Sequence, residues 1–123
     1  MICPCCGTPL IEVRLDGIVI DRCETCSGIW FDFAELERVL NRDTHAIGKL
    51  LPRTERLEDP NLDMLPCPRC RDKLIRMRAE PERMNYYTCL TCYGRWLGGS
   101  ALKRVADRSL AIRFERVFQQ LLD

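Results

Sequence analysis

Two short stretches, Cys3-Pro-Cys-Cys6 and Cys23-Glu-Thr-Cys26-Ser-Gly-Ile-Trp30, decide the fold of this 123-residue chain. Each carries a pair of cysteines separated by two residues, and 16 residues lie between the two pairs. Two intervening residues allow both thiolates to point at one metal ion, and a second pair brought back by a hairpin completes a tetrahedron. This spacing is typical of a four-cysteine zinc site.

The same pattern recurs as Cys67-Pro-Arg-Cys70 and Cys89-Leu-Thr-Cys92-Tyr-Gly-Arg-Trp96, with 18 residues between the pairs. The first pairs align at an offset of 64 and the second pairs at 66. An internal repeat of this kind predicts two equivalent units, and therefore two structural zinc ions. Iron is the alternative metal for a four-thiolate site. The predicted ligands are Cys3, Cys6, Cys23, Cys26, Cys67, Cys70, Cys89 and Cys92.

Cys5 is the ninth cysteine, and it lies inside the first pair. Three roles are open for it: a bystander thiol, a ligand that exchanges with Cys3 or Cys6, and a redox trigger that releases the metal.

A β-hairpin is predicted between the cysteine pairs of each repeat. Asp16-Gly17 separates β-forming residues 10–15 and 18–20, and Asp-Gly favours a tight turn because both turn positions need positive φ. In the second repeat, strands 73–78 and 84–88 flank a tip that contains Pro81. Each repeat is then a zinc ribbon, a hairpin between two knuckles, where a knuckle is the tight turn around one cysteine pair.

Glycines follow three of the four knuckles, at positions 7, 28 and 94, where they suit a tight backbone. Arg71 takes the place of Gly7 in the second repeat, so we expect a different turn there.

A helix is predicted after each ribbon. Asp32 and Glu35 form a capping box, and Ser100 is the expected cap of a second helix that extends to Leu122. Pro52 ends the first helix, whose apolar residues recur at helical spacing: Phe33, Leu36, Val39, Leu40, Ile47 and Leu50.

The predicted fold class is a small metal-stabilised α+β protein with two tandem zinc ribbons, each followed by an α-helix. Residues 1–51 form the first ribbon and its helix, residues 52–66 a proline-containing linker, and residues 67–123 the second ribbon and a long C-terminal helix.

The first repeat resembles the transcription factor IIB-type zinc-ribbon family of small bacterial proteins. The resemblance rests on Cys3-Pro-x-Cys6 and on Cys23-x-x-Cys26-Ser-Gly-Ile-Trp30-Phe-Asp32-x-x-Glu35-Leu36, and it extends to about Leu40. The second repeat keeps the four cysteines, Gly94, Trp96 and Leu102, so two tandem copies are expected. The resemblance implies a zinc-binding fold and a link to transcription.

The metal sites are expected to be structural, because four cysteines leave no open position for water or substrate. His45, the only histidine, is predicted to lie within a helix, away from the metal. No His–Cys pair, paired-carboxylate signature or phosphate loop is visible, so an enzyme is not expected.

Trp30 and Trp96 recur at equivalent positions, and we expect each to close its ribbon core beside Leu36 or Leu102. If nucleic acid binds, the better stacking candidates are Phe31, Tyr86, Tyr87 and Tyr93.

Charge divides unevenly along the chain. Residues 1–66 carry 7 basic and 12 acidic residues, and residues 67–123 carry 12 and 6. Three interpretations are open: an ordinary solvated surface, attraction between the unlike halves, and a nucleic-acid surface in the second ribbon. That surface would use Arg69, Arg71, Lys73, Arg76 and Arg78.

The last predicted helix aligns five apolar residues that predict a protein partner or a homodimer: Leu110, Phe114, Val117, Phe118 and Leu121. No long apolar run or leader is visible, which predicts a cytoplasmic protein without a membrane span. The leading hypothesis is a zinc-binding adaptor for protein partners, linked to transcription. The alternatives are nucleic-acid binding through the second ribbon and a redox-gated zinc chaperone or sensor.

Overall fold

The computed structural model describes residues 1–15, 17–42, 65–79 and 84–106. Within these ranges the strands are β1 (Ile11–Leu15), β2 (Ile18–Arg22), β3 (Ile29–Phe31), β4 (Ile75–Ala79), β5 (Met84–Thr88) and β6 (Arg95–Leu97). The helices are α1 (Glu35–Arg42) and α2 (Gly99–Ala106).

The two predicted hairpins are β1–β2 and β4–β5. Leu15 pairs with Ile18 next to the turn, where Gly17 has a φ of 82°. Strand β5 has the predicted bounds, but β4 begins at Ile75 rather than at Lys73. The reason is that Lys73 forms an isolated bridge with Pro66 and belongs to the knuckle.

Both ribbons contribute to one antiparallel sheet, in the order β1-β2-β3-β6-β5-β4. The junction is the pair β3–β6, in which Trp30 lies opposite Trp96. Because these tryptophans are equivalent in the two repeats, the ribbons are related by an approximate two-fold axis between them. The predicted boundaries at residues 51, 52 and 66 stay predictions.

Alternation along the short strands sends neighbouring side chains to opposite faces of the sheet. Ile29 and Phe31 lie in a cluster with Leu36 and Val39 of α1. The same cluster contains Leu97, Ala101 and Leu102 of the second repeat.

The tryptophans lie in a separate cluster with the buried cysteines. The expectation that Trp30 packs beside Leu36, and Trp96 beside Leu102, is therefore wrong. Each tryptophan is buried as expected, but on the cysteine face of the sheet, because it is the middle residue of a three-residue strand.

At the start of α1, the N–H of Asp32 donates to the Glu35 carboxylate at 2.8 Å, which is one half of a capping box. Residues 43–64 and 107–123 lie outside the described residues, and with them His45, Leu50, Pro52 and the predicted course of the last helix. Among the helices described, none has the length and apolar character needed to cross a membrane.

Candidate metal centres

The four knuckles share one backbone design. At each knuckle the carbonyl of the first cysteine accepts an N–H four residues later, at 2.8–3.0 Å. In the first pairs, Cys6 N–H also donates to Cys3 Sγ, and Cys70 N–H to Cys67 Sγ, both at 3.3 Å. These bonds hold the sulfur atoms of a pair on the same side of the turn.

A residue in the left-handed conformation ends every knuckle. The φ angles are 73° at Gly7, 64° at Ser27, 65° at Arg71 and 60° at Tyr93. The expectation that the turn at Arg71 differs from the turn at Gly7 is wrong, because both residues adopt the same conformation. Two L-residues with long side chains, Arg71 and Tyr93, therefore occupy a conformation that favours glycine.

The glycines at 28 and 94 have a different role from the one expected. A Cβ atom added to Gly28 would overlap the indole of Trp96, and one added to Gly94 would overlap the indole of Trp30. These positions need glycine because a tryptophan of the other ribbon lies directly on them.

The eight predicted ligands come together in two groups of four, Cys3, Cys6, Cys23 and Cys26, and Cys67, Cys70, Cys89 and Cys92. We call these groups the first and second metal centres. Within each, the sulfur atoms all lie within 4.8 Å of one another. The first and third cysteines of each group are buried, and the other two lie nearer the surface.

The sulfur spacing fits a zinc ion. The Sγ atoms of Cys3 and Cys26 lie 3.8 Å apart, and those of Cys67 and Cys92 lie 3.7 Å apart. A tetrahedron with Zn–S bonds of about 2.3 Å has edges of about 3.8 Å. Both centres are therefore compatible with structural zinc ions, one in each group.

Comparison with protein families agrees with this geometry. Residues 2–42 match the model of the transcription factor zinc-finger family. The matched segment comprises the first ribbon and α1. The second cysteine group, at residues 67–92, is consistent with a second copy. No curated protein matches the chain. No solved structure matches it either.

The thiols of the zinc ribbons are strongly perturbed by one another and by burial. A hydrogen bond from Cys26, with a second from Cys5, lowers the pKa of Cys3. Burial raises the pKa of Cys67 to about 12. In the metal-free protein Cys67 therefore keeps its proton at neutral pH, whereas zinc binding requires thiolates.

Cys5 is partly buried against the tryptophan cluster and does not belong to the four-sulfur group of the first centre. Its hydrogen bond with Cys3 raises the pKa of Cys5. Arg69 occupies the equivalent place in the second ribbon. The bystander, exchange and redox roles of Cys5 stay predictions.

Arg69 connects the second ribbon to the first. Its Nε and Nη2 atoms donate to the Asp32 carboxylate at 2.7 and 2.5 Å. The same carboxylate accepts the indole N–H of Trp30 at 3.0 Å. Gly98 stands where a second Asp32 would be, and Trp96 Nε1 is buried without a hydrogen-bond partner among the described residues.

A second ion pair joins Arg95 of β6 to Glu37 of α1. In both pairs the cation comes from the basic second repeat and the anion from the acidic first repeat. The structure thus supports the interpretation that the unlike halves attract each other.

The residues proposed for nucleic-acid contact are distributed unevenly. Arg71, Lys73, Arg76 and Arg78 are exposed on the second ribbon, whereas Arg69 is held by Asp32. Among the stacking candidates Tyr93 is exposed, and the other three are buried: Phe31, Tyr86 and Tyr87.

The sequence pattern did not predict one exposed aromatic pair. The rings of Phe33 and Tyr93 meet edge to face with centroids 6.2 Å apart, and their exposed fractions are 64% and 59%. We call this pair the aromatic patch. Phe33 precedes α1 instead of facing the helix core. Its exposure could have been inferred from the second repeat, where Gly99 occupies the equivalent position and no aromatic side chain is needed in the core.

Proposed function

We propose that this zinc-finger-like metal-binding module is a non-enzymatic adaptor that binds a protein partner in the cytoplasm. The description of the matching family supports transcription as the process in which it acts. The observation that carries the adaptor proposal is the aromatic patch, because two large apolar rings exposed side by side are typical of protein-binding surfaces.

A structural role for both zinc ions supports a module without catalysis, because four sulfurs complete a zinc coordination shell. Between the first knuckles of the two ribbons lies a cleft of about 580 Å³. Among the described residues, its walls hold two metal-ligating cysteines and two arginines but no histidine or carboxylate for acid–base chemistry. These residues are Met1, Ile2, Cys3, Pro66, Cys67, Pro68, Arg69 and Arg71.

Partner capture with matched variants tests the adaptor proposal. Zinc-loaded protein is immobilised and exposed to cytosol, and the captured proteins are compared with those held by Phe33→Ser/Tyr93→Ser. The control is Ile11→Ser/Val19→Ser, which alters two other exposed apolar residues. We expect a partner to be lost with the patch variant alone. Equal capture by all three proteins would contradict the proposal.

The predicted apolar stripe of residues 110–121 is the second surface to test. A chain that ends before Ser109 retains the aromatic patch. Loss of the partner with this shorter chain, but not with the patch variant, would assign the contact to the C-terminal stripe. Loss of self-association would instead assign that stripe to a homodimer.

Nucleic-acid binding through the second ribbon is the second candidate. It is favoured by four exposed cations and one exposed aromatic ring on that ribbon: Arg71, Lys73, Arg76, Arg78 and Tyr93. It predicts that single-stranded RNA or DNA binds, that affinity falls steeply with salt, and that Arg76→Glu/Arg78→Glu abolishes it. Arg38→Glu, an exposed arginine of the first ribbon, is the control. Salt-independent binding, or no binding, would remove this candidate.

A further inference from the structure

Each ribbon places its tryptophan on a knuckle of the other ribbon. The indole of Trp30 lies against Gly94, two residues after Cys92 of the second centre. The indole of Trp96 lies against Gly28, two residues after Cys26 of the first centre. Each metal centre therefore shapes the surface on which the opposite tryptophan packs.

One buried cluster contains ligands of both centres. The two tryptophans lie in it together with Tyr87 and with the four buried ligands, Cys3, Cys23, Cys67 and Cys89. A change in the position of one set of knuckles is therefore transmitted by direct packing to the other.

The aromatic patch also needs both ribbons, because Phe33 belongs to the first and Tyr93 to the second. Tyr93 directly follows the ligand Cys92, and its left-handed conformation is part of the knuckle. Neither ribbon carries the patch alone.

We propose that the two metal centres bind zinc cooperatively and that the aromatic patch forms only when both are loaded. A ribbon folded alone would leave β3 or β6 as an open sheet edge and would expose a tryptophan. The first ion must therefore fold a ribbon without its neighbour, whereas the second ion also gains the junction between them. Because this inference assigns a regulation to the proposed docking surface, its role in partner binding rests on the proposed function.

Zinc titration of the reduced metal-free chain, followed by native mass spectrometry, measures the coupling directly. If the two sites are equal and independent, about half of the molecules hold a single ion when one zinc is bound per chain on average. If the first ion raises the affinity for the second tenfold, this singly loaded fraction falls to about a quarter. We expect about a quarter or less. A singly loaded fraction of half or more would overturn the proposal.

A matched pair of substitutions tests the structural route. Gly94→Ala pushes Trp30 off the second ribbon, so we expect the singly loaded fraction to rise toward half. Leu90→Ala is the control, because Leu90 lies in the same knuckle as Gly94 and its side chain is 65% exposed. It should keep the low fraction of the unmodified chain. Equal fractions in the unmodified chain and Gly94→Ala would overturn the proposed route.

Formation of the patch is observed without any partner. An NMR cross-peak between the rings of Phe33 and Tyr93 should grow with the doubly loaded species and be absent from Cys89→Ser/Cys92→Ser loaded with one ion. A cross-peak that appears at the same intensity in this variant would overturn the proposal. If zinc binding is cooperative but Phe33→Ser/Tyr93→Ser still captures every partner, the proposed adaptor function is wrong and the proposed coupling between the metal centres is not affected.

Discussion

At the scale of single residues, Asp32 links a buried tryptophan of the first ribbon to an arginine of the second. Its carboxylate accepts the buried indole N–H of Trp30 and both donors of Arg69. The repeat alone did not reveal this role, because the second repeat has Gly98 at the equivalent position. Because the repeat conserves no side chain at this position, comparison of the two copies could not indicate what Asp32 binds.

Replacing Asp32 should cost more than replacing its partner Arg69. Asp32→Ala leaves Trp30 Nε1 buried without an acceptor, which is expected to reduce the free energy of unfolding by about 1–3 kcal/mol. Arg69→Ala removes a half-exposed ion pair, worth less than about 1 kcal/mol. Urea unfolding of the zinc-loaded proteins measures both. A larger loss for Arg69→Ala would show that the ion pair, not the indole bond, dominates.

Arg71 should be replaceable by glycine with a gain in stability. Its φ of 65° costs an L-residue about 1–2 kcal/mol, whereas glycine adopts it freely. We expect Arg71→Gly to raise the free energy of unfolding by up to about 1 kcal/mol, since glycine loses more chain entropy on folding. Lys73→Gly, two residues on in a β-bridge, should destabilise. A loss of stability with Arg71→Gly would mean that the guanidinium itself stabilises the knuckle.

At the scale of elements, the knuckles predict a marked pH dependence of zinc binding. In the first centre, burial raises the pKa of Cys6 to about 11 and the hydrogen bond with Cys3 raises the pKa of Cys26, so both thiols are protonated at neutral pH without metal. Zinc must displace these protons, and each displaced proton weakens the apparent affinity about tenfold per unit fall in pH.

Zinc release with falling pH, measured with a coloured chelator, checks this dependence. We expect the apparent zinc affinity of the first centre to drop at least about a hundredfold per pH unit below neutrality, because its ion displaces at least two protons. An affinity that does not change between pH 7 and pH 6 would contradict protonated thiols in the metal-free knuckles.

Local patterns predicted the hairpins and the ligand sets well, because Asp16-Gly17 and the cysteine spacings act over a few residues. Strands β3 and β6 were not predicted, since three residues are too short to show a period of two. That omission also explains the wrong placement of the tryptophans. Without β3, nothing in the sequence indicates that Trp30 and Phe31 face opposite sides of the sheet.

At the scale of the whole molecule, the two repeats form one sheet instead of two separate units on the described residues. The repeat predicted two equivalent ribbons, and the charge division was compatible with their attraction. The repeat could not predict which strands meet, because the pairing of β3 with β6 joins residues 64–68 positions apart. The contact of Phe33 with Tyr93 depends on that same pairing.

Zinc is central to this account, since structural sites of this type contribute about 10–16 kcal/mol each to folding. The buried clusters are small, and the cysteine face contains metal ligands in place of larger apolar side chains. Both the shared sheet and the aromatic patch therefore depend on the metal centres.

The most direct test is far-UV circular dichroism of the reduced protein while zinc is removed by a chelator and the released metal is counted. The account predicts that two zinc ions leave each chain and that the β-sheet signal is lost as they do. A purified protein without zinc, or a spectrum that is unchanged after both ions are removed, would contradict it.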